Sequence, residues 1–132
     1  MILIAKVDSP EKFRKDMFKS KRKPFEEIWK GEQIQGVSDI VRFAPSACNS
    51  QPWYVEREEN KLKICRYRKS GRIGIMPSDM VSVMNRIDMG IFIRFLELCL
   101  QHENYEFSRE LFVDEGSDRE LTINAQYVIL RN

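Results

Sequence analysis

The chain has little of what most site chemistries require. Its 132 residues hold one histidine and three cysteines, Cys48, Cys65 and Cys99, with no Cys-x-x-Cys spacing. That argues against both a zinc site and a disulfide framework and leaves reduced thiols as the simple expectation. No Ser/His/Asp or Cys/His constellation for nucleophilic catalysis can be assembled, and His102 is expected only to sit at a helix C-terminus, where the dipole favours it. No apolar run reaches the ~20 residues of a membrane span. Met1-Ile2-Leu3-Ile4-Ala5 is followed at once by Lys6 and Asp8, too short a stretch for a signal peptide, so a cytoplasmic protein away from membranes is expected. Internal repeats and low-complexity tracts are also missing.

What is present is the composition of one globular domain spanning residues 1–132. With 42% hydrophobic and 32% charged residues, a single core is expected to bury roughly two-thirds of the unfolded surface. A net charge of +2 selects no partner, but it is unevenly spread: Lys12 to Lys23 holds seven basic residues against Asp16 alone, and Glu97 to Glu120 is mostly acidic. Aromatic residues are not interleaved with the basic run as in an RNA-binding surface, which favours a solvated face over a nucleic-acid footprint.

Periodicity gives the element order. Ile2 to Val7 reads as a short strand, and Ser9-Pro10-Glu11 as the start of a helix ending near Lys19. Pro24 to Trp29 reads as a short helical piece closed by Gly31, and Val37 to Phe43 as another. Trp53 and Val55, then Leu62 and Ile64, alternate with polar residues as a β-hairpin. A long, mostly buried helix runs from about Ser78 to Gln101, with Arg86, Arg94, Glu97 and Gln101 on its solvent arc. Gly90 at the centre of that arc lowers helix propensity by about 1 kcal/mol relative to Ala, so it is expected to permit close approach of another backbone or a cofactor. Asp88 falls on the apolar side, where a carboxylate needs backbone donors, a cation or solvent. Residues 105–113 and 121–130 form a second antiparallel pair, with Leu121, Ile123, Ala125, Tyr127 and Ile129 on one face.

The stretch from Val41 to Val55 carries the functional reading. Pro45 turns Ala44 away from the helical conformation; the Ser46-Ala47-Cys48-Asn49-Ser50 run has side chains small enough for a ligand or another chain to approach the backbone. Ser46, Asn49 and Gln51 add compact donors and acceptors beside Trp53, a mixture suited to a flat heterocycle with polar edges. Cys48 is expected to be a small packed side chain rather than a reactive thiol.

Pro45-Ser46-Ala47-Cys48-Asn49-Ser50-Gln51-Pro52-Trp53 resembles the Pro-Ser-x-x-Asn-x-Gln-Pro-Trp signature of the nitroreductase family, FMN-dependent oxidoreductases of α+β fold. Asp88-Met89-Gly90 resembles the Asp-x-Gly opening of that family's central helix, and Arg22-Lys23-Pro24-Phe25-Glu26-Glu27 is similar to a segment of a branch with two related halves in one chain. The resemblance implies an α+β, nitroreductase-like fold, with a mainly antiparallel sheet packed on a long central helix, most like the C-terminal half of that branch. It implies FMN held at a dimer interface, with Pro45, Ser46 and Asn49 reaching the partner subunit's flavin; Ala47 stands where family members often have a second hydroxyl. Gln51, Pro52 and Trp53 become supporting structure, and Asp88 takes a structural role. The implied reaction is ping-pong hydride transfer from NADH or NADPH through the flavin to a nitroaromatic or quinone, with no side chain acting as catalytic acid or base. The Arg-x-Ser-x-Arg-like opening that grips the FMN phosphate in the family is not found here. A shortened domain is therefore expected, working as a homodimer or with a partner chain that completes the flavin pocket, and Lys21-Arg22-Lys23 or Arg131 are candidates for the phosphate. Two other classes follow from the same residues: a non-catalytic remnant that keeps the fold and binds no flavin, and a basic nucleic-acid-binding module.

Overall fold

The computed structural model describes residues 21–68, 74–115 and 119–131, together with Lys6, Asp8 and Ser9. The expected first strand and the helix beginning at Ser9 fall almost wholly outside the described residues.

The architecture is α+β. Trp29–Lys30 (β1), Trp53–Glu58 (β2), Lys61–Tyr67 (β3), Glu106–Leu111 (β4) and Leu121–Arg131 (β5) form one sheet in the order β1-β2-β3-β5-β4. Only β1 with β2 is parallel; the other three pairings are antiparallel. Ser38–Val41 (α1) is a single turn, and Ser78–His102 (α2) is the long helix.

Local chemistry explains the element ends. α2 starts after Pro77, carries Asp79 in its first turn and His102 in its last, and contains no proline in 25 residues. It stops where Asn104 turns to φ 60°, a left-handed residue that Asn tolerates, with Tyr105 N–H closing onto Leu100 O at 2.9 Å. The short helical piece expected over Pro24 to Trp29 is present over part of that span. It is one 3-10 turn, Phe25–Glu27, after which Trp29 pairs with Val55. Gly31 at φ 95° follows, lying so close to the Arg57 carbonyl that no Cβ could fit.

The core lies between α2 and one face of the sheet. Trp29, Trp53, Val55, Leu62, Ile64, Ala125 and Tyr127 meet Met89, Phe92, Leu96 and Leu100, and α1 adds Val41. Trp53 stacks on Phe92 with ring centroids 4.8 Å apart, which fixes the strand leaving the Pro45–Trp53 stretch against the helix.

Two facial assignments differ from the sequence pattern. A register shift opposite Ile64 and Cys65 reverses the alternation of β5, so Asn124 is buried while Leu121 and Ile123 are exposed. On α2, Glu97 is buried and Ile87, Ile91 and Leu98 are exposed. Glu97 turns inward because it has partners there: it accepts hydrogen bonds from Tyr127 Oη at 2.8 Å and from Arg109, and Arg94 donates to it at 3.3 Å. A second inward network joins Arg66 to Asp114 at 2.5 Å, with Asn124 donating to the same carboxylate at 3.2 Å.

Candidate cofactor site

The Pro45–Gln51 loop lies between α1 and β2 and is held from two sides. From the helix, buried Asp88 accepts the Ala47 backbone N–H at 2.8 Å and the Ser50 hydroxyl at 3.0 Å. These are the donors a buried carboxylate on the apolar side requires. Burial raises the Asp88 pKa above the ordinary carboxylate value, and the two hydrogen bonds oppose that shift without cancelling it.

From the other side, the guanidinium of Arg22 donates to Phe43 O at 3.2 Å, Ala44 O at 3.1 Å and Asn49 Oδ1 at 3.3 Å. Arg42 donates back to Lys23 O at 3.0 Å. Both guanidinium carbons stand over the Phe43 ring, at 5.7 and 5.4 Å from its centroid. Arg22 is pushed below the usual guanidinium range, first by burial and then by Arg42.

Within the loop, Ser46 Oγ accepts the Gln51 N–H at 3.0 Å. Asn49 Nδ2 donates to Lys21 O at 2.7 Å, and Gln51 bonds both the Lys23 N–H and Lys21 O. The side chains of Ser46, Asn49 and Gln51, expected to address a ligand, thus tie the loop to itself and to segment 21–23. Gln51 and Trp53 are buried. Cys48 is not packed; it is exposed, with φ 49°. Asn49 at φ 54° and Gln51 at φ 47° are left-handed too. Such non-glycine conformations cost on the order of 1 kcal/mol or more each and persist only where surroundings over-determine them, which here means Asp88 and Arg22.

The result is a rigid loop with an exposed rim of Pro45, Cys48 and Asn49, Ser46 and Ala47 being half-buried. Beside it lies a groove of about 430 Å³, lined by Lys21, Arg22, Lys23, Pro24, Glu27, Asn49, Ser50 and Gln51, within the size range of small-molecule sites. Its charge is mainly cationic, which suits the phosphate of a nucleotide cofactor. The Arg131 side chain lies outside the described residues; the 21–23 segment does join the loop. Arg22 was hard to find from sequence as a loop anchor, because its partners are carbonyls 21 and 22 residues away and nothing in a basic run distinguishes it; the Arg22-Lys23-Pro24 similarity was the only signal.

An antiparallel-dominated sheet on one long helix, with a constrained small-residue loop docked on Asp88 about three turns into that helix, is the α+β arrangement that holds the site. The family described as "Putative TM nitroreductase" matches residues 4–99, and the chain belongs to it. In structure it is similar to a "putative nitroreductase" from Thermotoga maritima, with a TM-score of 0.55 and 18% identity over 86% of this chain. The chain spans 43% of that protein's length, and the likeness shows the fold. No curated protein matches the sequence.

Proposed function

We propose that the chain is an FMN-dependent oxidoreductase of the nitroreductase family, working in the cytoplasm as a homodimer or with a partner chain that completes the flavin pocket. The observation that carries this reading is the Pro45–Gln51 loop: three left-handed residues are held by Asp88 and Arg22 so that a small-residue rim stands exposed beside a cationic groove. When bound, FMN would supply two-electron hydride chemistry between NADH or NADPH and a nitroaromatic or quinone. The chain's own residues position it. Pro45 and the backbone of Ser46, Ala47 and Asn49 form a wall that a planar ring can approach, because no bulky side chain stands there. Lys21, Arg22 and Lys23 line the groove and would meet a phosphate by charge, and Asp88 acts on the site through Ala47, as a positioning residue.

A second reading is favoured by the internal bonding of Ser46, Asn49 and Gln51, which leaves few side-chain donors for a ligand. It makes the chain a non-catalytic member that keeps the fold and interface. The two separate in one experiment: the absorption spectrum of the purified chain after addition of FMN and gel filtration, followed by NADH and NADPH consumption with a nitroaromatic or quinone acceptor. Retained flavin bands and acceptor-dependent turnover support the first reading; a colourless protein with no turnover, after an apo-protein control, leaves the second.

A further inference from the structure

The face of the sheet turned away from α2 carries two tyrosines on adjacent strands. Tyr54 on β2 lies opposite Cys65, and Tyr67 follows Cys65 by two positions on β3. The two rings are therefore diagonal neighbours, and they meet edge to face at 61° with centroids 5.5 Å apart. The Lys23 ammonium stands over the Tyr67 ring, 5.5 Å from its centroid. Glu26 and Glu27, from the 3-10 turn before β1, and exposed Arg68 complete a groove of about 350 Å³ around this pair, within the size range of small-molecule sites. The Tyr67 hydroxyl is held above its ordinary pKa, first by burial, then by Tyr54 and by charges that include the Glu120 and Glu27 carboxylates. A negative field thus falls on an aromatic pair.

We infer that this groove binds a small organic ammonium ion, and that the Lys23 ammonium is its built-in occupant. A strongly hydrated ammonium settles on a ring face where the ring quadrupole and nearby carboxylates together offset its lost water. With Lys23 counted as occupant, the other side chains lining the groove set the carboxylates of Glu26 and Glu27 against the single cation Arg68, a balance that favours a cation over an anion. The neighbouring groove shares Lys23 and Glu27 but has the opposite balance, with Lys21, Arg22 and Lys23 against Glu27 and no tyrosine. A ligand cation takes the place of the Lys23 ammonium and competes with it. Lys23 can yield the ring without moving the chain, because its backbone N–H donates to Gln51 and its carbonyl accepts from Arg42. The inference goes beyond the flavin reading and is tested without flavin, so that either can fail alone.

The probe is choline chloride, titrated into the full chain without FMN and followed by amide proton–nitrogen NMR. Its control is the neutral carbon isostere, in which a tert-butyl group replaces the trimethylammonium group. Saturable shifts at Tyr54, Tyr67 and Glu27 are expected, with a dissociation constant on the order of 1 mM, and the neutral alcohol should bind about tenfold more weakly or worse. Lys23→Ala removes the internal competitor and is expected to tighten choline binding about threefold or more, the reverse of its effect at an anion site. Tyr67→Leu keeps apolar bulk without a ring and is expected to weaken binding about tenfold. Glu27→Gln changes an exposed position; with unchanged circular dichroism it is expected to weaken binding about threefold, and it decides the matter if Tyr67→Leu does not fold. No saturable shift up to about 50 mM choline, equal binding of the neutral alcohol, a Lys23→Ala affinity no higher than the parent's, or unchanged affinity in Glu27→Gln would each overturn the inference.

Discussion

The carboxylate of Asp88 accepts the backbone N–H of Ala47 at 2.8 Å, across 41 positions of sequence, and so couples the start of the loop to the long helix. Its other oxygen takes the Ser50 hydroxyl, closing the far end of the same loop. One buried side chain therefore sets the loop's position relative to the core. Replacing it with alanine leaves two donors without partners and is expected to lower stability by about 2–3 kcal/mol. Asp88→Asn keeps an acceptor for Ala47 and should lose less than half as much. Chemical denaturation of the two variants checks the order.

The same residue predicts a pH dependence. Because folding raises the Asp88 pKa, the folded chain binds a proton where the unfolded chain does not. The stability penalty is fully present above the folded pKa and is relieved as pH falls through it towards the unfolded value of about 3.8. Glu97 works in the opposite direction. Burial raises its pKa, but hydrogen bonds from Tyr127, Arg109 and Arg94 outweigh burial and hold it below the ordinary value. Its stabilisation is present above about 4.5 and is lost as pH falls through the folded pKa. Denaturation midpoints between neutral and acid pH should show Asp88→Asn losing stability more steeply on acidification than the parent, and Glu97→Gln less steeply.

The loop's second anchor makes a separate prediction. Arg22 reaches two carbonyls and Asn49 with one planar guanidinium, which a lysine ammonium cannot reproduce. Arg22→Lys is expected to lower stability by about 1 kcal/mol and to speed hydrogen exchange at Asn49 and Ser50 while α2 stays protected. Equal exchange in both proteins would show that Asp88 alone fixes the loop.

Two glycines should respond with opposite signs. Gly31→Ala combines φ 95° with a clash against the Arg57 carbonyl and is expected to destabilise by about 2 kcal/mol or more. Gly90→Ala meets open space in a helix interior and should stabilise the monomer by up to about 1 kcal/mol. Thermal melts at low protein concentration compare them directly.

Much of this was legible in the sequence. The hairpin of β2 and β3, the span of α2 and the strand β5 followed from apolar spacing, since each has residues in the core, while β4, exposed except for half-buried Phe107, followed from its alternation. The signature loop marked the place of the candidate site, and the Asp88 wheel position required the donors that Ala47 and Ser50 supply. What periodicity missed came from long-range polar partners and from register. Glu97 read as a solvent residue because Tyr127 and Arg109, 30 and 12 positions away, make its burial possible. Ile87, Ile91 and Leu98 read as core because a broad apolar arc on a helix does not reveal which part of it meets the sheet. Leu121 and Ile123 changed faces at a bulge that no alternation rule foresees. Cys48 read as packed, although the left-handed turn carries its thiol outward.

The most direct test of the functional account is an FMN titration, followed by quenching of flavin fluorescence, of the parent chain and of Asn49→Ala at equal protein concentration. The account predicts saturable binding by the parent and an affinity at least tenfold weaker in the variant, a difference of about 1.4 kcal/mol. Binding of equal strength in both would show that the Asn49 side chain, through its bonds to Arg22 and Lys21, contributes nothing to flavin affinity, and no binding by a folded, dimeric parent would contradict the flavin reading itself.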